Sequence, residues 1–148
     1  MKPDVGTVLD VVGGKLLLEV APAVQAAYLR QSVGLTGILL SMVKEEWERS
    51  ASRRFEENAA LRALFGRAAG VVSDPELRRR LEAAAAGADT SLLISALEQS
   101  NAALRALLID LHAHVESVDA PWARALDAEI WRELVASTER RRFSLSPF

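Results

Sequence analysis

Cysteine is absent from this chain. Disulfides, thiolate nucleophiles and zinc–thiolate sites are excluded with it. Aromatic residues occupy only 5% of 148 positions, so any core must be built from aliphatic side chains. Eight glycines and five prolines are too few for the frequent turns of a β protein. Neither sign of charge prevails: the formal balance is −2, which argues against general affinity for nucleic acid or anionic membranes. A bilayer-spanning helix needs roughly 20 apolar residues. The most apolar stretches, Lys15 to Leu29 and Val33 to Val43, are too short or too interrupted, with Lys15, Glu19, Arg30 and Gln31 breaking the run. Met1 to Asp10 lacks the basic start and continuous apolar core of a secretory leader. The expectation is a cytoplasmic protein that neither enters a membrane nor binds nucleic acid.

What is present is helix-forming. Half the residues are hydrophobic, much of that Ala and Leu, the strongest helix formers, and β-branched residues are sparse. The fold class is therefore all-α, in one domain over residues 1–148 with an irregular tail from about 143. The first helix runs from about Val5 to Arg30, with Gly13-Gly14 able to break it and Pro22 expected to kink it or begin a second segment. A second, long helix follows from about Leu35 to Ala69, with Ser32 as a candidate N-cap. Its apolar face reads Leu40, Val43, Trp47, Ala51, Phe55, Asn58, Leu61 and Phe65, and Arg53 falls on the opposite, charged face.

Ser73-Asp74-Pro75-Glu76 is the clearest punctuation in the chain. Either Ser73 caps with Glu76, or Asp74 caps with Pro75 at the first helical position. Both start a third helix at Pro75, stopped by Gly87 after Ala86. Asp89 or Thr90 then caps a fourth helix reaching about Val118, with a stripe of Leu93, Leu97, Asn101, Leu104, Leu108, Leu111 and Val115. Asp119 before Pro121 opens the last helix, which ends in Arg140-Arg141-Arg142. Cations suit that end of a helix dipole. Short connections make successive helices antiparallel neighbours, hence an up-down bundle of four to five helices. The long second helix would extend roughly 50 Å, more than a domain of this size comfortably covers. Either it is broken or its overhang packs on a second copy, which makes a homodimer the expectation.

Asparagine is scarce: Asn58 and Asn101 are the only two, and each opens the same heptad, Asn-Ala-Ala-Leu-Arg-Ala-Leu. The identity fails on both sides of the seven residues, so it does not mark a duplicated domain. Both asparagines fall on buried stripes. An unpaired buried amide costs about 1–3 kcal/mol, so the simplest solution is that they bond each other and fix helix register. Alternatively Asn58, Arg62, Asn101 and Arg105 line a pocket for a small anionic ligand, each Arg lying four residues beyond its Asn.

Other motifs carry less. His112 and His114 point to nearly opposite helix faces and cannot share one ion, and no Glu-x-x-His pattern of di-iron bundles occurs. Gly13-Gly14-Lys15 lacks the spacing and following hydroxyl of a phosphate loop. No Gly-x-Ser-x-Gly elbow is present. The triplets Arg78–Arg80 and Arg140–Arg142 spread around their helices and read as solvated faces. Trp47, Trp122 and Trp131 are candidates for an interface, since Trp is enriched at binding hot spots. No catalytic residue, metal ligand or cofactor is assigned. The functional expectation is a non-catalytic, homo-oligomeric interaction or accessory protein. A binding module for a small anionic or amphipathic ligand is the alternative, and an enzyme using carboxylates or a partner-supplied cofactor comes third.

Overall fold

Asp4 opens the first helix in the computed structural model, which describes residues 4–144. Its carboxylate accepts the Thr7 amide at 2.8 Å, satisfying one of the donors that a helix start leaves open. Helix α1 is Val5–Lys15, and Gly13-Gly14 passes through it without a break. The chain then widens into a π turn, Leu16–Val20, followed by the short α2, Ala21–Ala23. Pro22 accounts for the widening. It has no N–H to give the preceding turn and its ring crowds the carbonyl four residues back, and a π turn accommodates both. Val24 is extended, and α3 runs unbroken from Ala27 to Ala69. Next come α4 (Pro75–Ala86), α5 (Ile94–Glu116) and α6 (Pro121–Arg141). No strand occurs among the described residues, and the protein is an all-α bundle with one long helix. None of the described helices is long and apolar enough to cross a membrane.

Several boundaries differ from those expected. The first and second helices part at residues 24–26 rather than near Ser32, which lies inside α3 with Gly34 and Gly37. Asp74 is the cap of α4, accepting Leu77 N–H at 2.7 Å, and Gly87 ends that helix as expected. Neither Asp89 nor Thr90 caps α5, which begins after Leu93, because Asp89 is committed elsewhere. Ala120, not Asp119, stands at the N-cap of α6, and Asp119 instead accepts from Arg124. Phe143 and Ser144 follow α6 as non-helical chain; Met1 to Pro3, and the tail from Leu145 to Phe148, lie outside the described residues.

Two compact units divide the described chain, one reaching Ser50 and including Phe143 and Ser144, the other Ala51–Arg142. In the first, α1 approaches the start of α3 at glycines. A Cβ on Gly37 would stand 2.5 Å from Leu17 Cγ and 3.0 Å from the Gly13 carbonyl, so only glycine permits this approach. Lys44 pairs with Asp10 at 2.5 Å, and Glu45 accepts from the Ser144 amide and hydroxyl.

The second unit is a four-helix, up-down-up-down arrangement of the remainder of α3 with α4, α5 and α6. Contacts fix the directions. Glu57 meets Arg141 while Arg67 meets Glu129, so α3 and α6 are antiparallel. Arg105 meets Ser137 while His112 meets Asp127, so α5 and α6 are antiparallel as well. Asn58 meets Asn101 and Arg54 meets Glu98, which makes α3 and α5 parallel. The apolar core gathers Phe65, Val72, Leu81, Leu111 and Ile130, all without solvent exposure. On α5 the expected stripe is buried apart from Leu93, which is exposed. On α3 Asn58, Leu61 and Phe65 are buried as expected, but Val43, Trp47 and Phe55 are exposed and Arg53, Glu57 and Ser50 are buried instead. Around Phe55 hydrophobic periodicity misplaced the buried face because the helix buries a polar layer there.

Candidate functional site

The polar layer is built where α3, α5 and α6 of the second unit meet. Glu57, Asn58 and Asn101 are each at most 2% exposed. Parallel α3 and α5 bring the two identical heptads side by side, and Asn101 Nδ2 donates to Asn58 Oδ1 at 2.9 Å and to Glu57 Oε2 at 3.2 Å. Asn58 Nδ2 in turn donates to the Leu97 carbonyl at 3.2 Å and to Asp89 Oδ2 at 3.1 Å. Each amide therefore satisfies the other and reaches outward to a carboxylate.

Each carboxylate is held by an arginine fork. Arg141, near the end of α6, meets Glu57 at 2.7 and 2.6 Å, and Ser137 Oγ donates to the same carboxylate at 2.9 Å. Arg62 meets Asp89 through two bonds of 2.9 Å and donates to Ser100 Oγ at 2.8 Å. Bidentate arginine–carboxylate pairs combine charge with fixed geometry. Burial pushes the Glu57 carboxyl up. The bonds from Arg141 and Ser137, with the charges of Arg141 and Arg105, outweigh it and hold the carboxyl below the usual range. Asp89 is lowered to about 2, mainly by the Arg62 hydrogen bond against the opposing effect of burial, with Ser100 and Asn58 assisting. Both carboxylates are ionised near neutrality.

The expected pocket residues are thus distributed along one network. Asn58 and Asn101 meet within one chain. Arg62 joins them through Asp89, whereas Arg105 lies on the far side of Glu57, its Nη1 3.5 Å from Ser137 Oγ. Glu57 and Ser137 were not singled out from the sequence, and Asp89 and Arg141 were read there in other roles. Asp89 looked like a helix cap and Arg141 like a complement to the helix dipole; Glu57, adjacent to Asn58, carried the one available signal.

The Arg triplets separate as their helical spacing implies. Arg78 donates to the Val72 carbonyl, while Arg79 and Arg80 pair with Glu76 and Asp110. Arg140, Arg141 and Arg142 pair with Glu133, Glu57 and Glu139. The histidines also diverge: His112 bonds Asp127 at 2.9 Å and meets the edge of Trp131, while His114 stacks on Trp122. Trp47 and Trp131 are exposed and Trp122 is half-buried. Among the described residues no cluster of three His, Asp or Glu side chains is placed to hold a metal ion.

No protein-family model matches the chain, and neither a curated protein nor a solved structure does.

Proposed function

We propose that this chain is a non-catalytic interaction or accessory protein of the cytoplasm that works as a homodimer, associating through the helices of its first unit. The observation that carries this reading is an uncovered apolar face. Tyr28, Leu35, Leu39 and Val43 follow one another along α3 at helical spacing, each between 49% and 77% exposed. Val5, Val8 and Val12 form a similar exposed row on α1. Single exposed apolar residues need no explanation, but contiguous rows of them mark interaction surfaces. Between Leu16 and Val43 the only charged side chains are Glu19 and Arg30, so like-charge repulsion does not oppose pairing with a second copy. Trp47 lies in the same unit, 57% exposed, and extends the candidate interface. Trp131 and Trp122, in the second unit, are kept for a protein partner.

Native mass spectrometry across a concentration series tests the proposal. A dimer that falls apart on dilution is expected, and a monomer throughout would overturn it.

Binding of a small anionic ligand between helices is the second reading. One observation favours it: Arg62 Nε is buried with no hydrogen-bond partner among the described residues. Loss of ligand-induced stabilisation in Arg62→Ala and Arg105→Ala would be its signature. An enzyme relying on carboxylates or a partner-supplied cofactor has no comparable observation behind it.

A further inference from the structure

Asp89 is tightly held for a residue of a connection between helices. It sits on the segment joining α4 to α5, yet its side chain is only 4% exposed. Its carboxylate receives the fork of Arg62 and the amide of Asn58, and Ser100 completes the surround from α5. These groups come from the rigid helices, while the carboxylate comes from a connection whose neighbours Leu92 and Leu93 are about 70% exposed. The division is that of receptor and tethered ligand.

Two further features fit that division. Arg62 offers more donors than Asp89 accepts, since its Nε is buried without a partner among the described residues. It faces Gly87, where a Cβ would stand 3.7 Å away. A groove of about 370 Å³ also runs between the connection, at Asp89 and Thr90, and α5, at Gln99 and Ser100. It opens beside Asp89 and Ser100, two of the groups that meet at the pair.

We infer that Arg62, Asn58 and Ser100 form a carboxylate-binding site whose resident is the chain's own Asp89, and into which an external carboxylate enters when the connection releases. Exchange makes and breaks only hydrogen bonds and an ion pair. Tethering gives Asp89 an effective concentration in the millimolar range, so a weak free carboxylate does not displace it from the wild-type protein. A carboxylate arriving on a larger partner, with contacts of its own, competes on better terms. Self-association through the first unit is not assumed.

Removal of the resident is the test. Asp89→Gly vacates the site, and thermal unfolding is followed with sodium acetate against sodium chloride at equal ionic strength. Asp89→Gly should melt below wild type, and acetate should raise its midpoint in a saturable way. Wild type and the double variant Asp89→Gly/Arg62→Ala should respond to acetate no more than to chloride. Equal responses of the single and double variants, or no response of the single, would overturn the inference. Should Asp89→Gly fail to fold at every acetate concentration, Asp89→Asn is judged by the same criterion.

Discussion

Asp89 shows how one side chain's choice of partner moves a helix boundary. Read locally, it is an N-cap, because aspartate before an apolar run satisfies open amides. The Arg62 fork offers it an ion pair in a largely buried setting, and α5 starts only at Ile94, behind Leu93, whose apolar side chain has no group to cap with. The same pair makes stability depend on pH. A carboxyl lowered from 3.8 to about 2 contributes stability that is fully present above the ordinary value and is lost as pH falls through the folded one. The difference amounts to about 2 kcal/mol. Urea unfolding between pH 6 and pH 2 should therefore show a loss of stability in this window for wild type that Asp89→Asn lacks. Glu57, also lowered, adds to acid sensitivity in both proteins. Parallel curves for the two would contradict the pairing.

Asn101→Leu tests the other half of the layer. It strips a donor from both Asn58 and Glu57, and it should cost about 1–3 kcal/mol in urea unfolding. No loss would mean that the buried amides are dispensable. The asparagines were legible because they are rare, repeated and on apolar stripes. Glu57 and Arg141 were not, since they lie 84 positions apart and each has a plausible local role on its own helix.

At the scale of elements, helix content and several stops could be read locally. Asp74-Pro75 starts α4 as its backbone chemistry demands, and Gly87 ends it in extended rather than left-handed backbone. The join between the first two helices could not be read in this way. Ser32, Gly34 and Gly37 resemble a cap and a loop, yet α3 runs through all three. Gly37 answers to tertiary contact, because the Gly13 carbonyl of α1 and the Leu17 side chain of the π turn lie against it. Two substitutions separate these roles. Gly34 has nothing within 4 Å of an added Cβ, so Gly34→Ala should stabilise the protein by about 1 kcal/mol through helix propensity alone. At Gly37 the same propensity gain is opposed by the Leu17 side chain and the Gly13 carbonyl, and crowding of this kind costs about 1–3 kcal/mol. Gly37→Ala should be destabilising in thermal or urea unfolding. Equal effects of the two would show that α1 does not depend on the close approach.

For the whole molecule, the up-down arrangement followed from short connections, and the second unit realises it around an aliphatic core. What the sequence pattern left out is the contrast between units. Ala51–Arg142 closes its core and its polar layer, whereas the first unit leaves rows of Leu, Val and Tyr uncovered on both of its long helical segments. Periodicity reports that a face is apolar, not whether this chain covers it. Such a face suits self-association. Sedimentation velocity of the wild type beside Leu35→Asp/Leu39→Asp, at matched concentrations and with helicity checked by circular dichroism, decides whether it self-associates. Wild type should sediment as a monomer–dimer equilibrium, and the variant as a monomer of unchanged helicity. A monomeric wild type, or a variant that dimerises equally well, would contradict it.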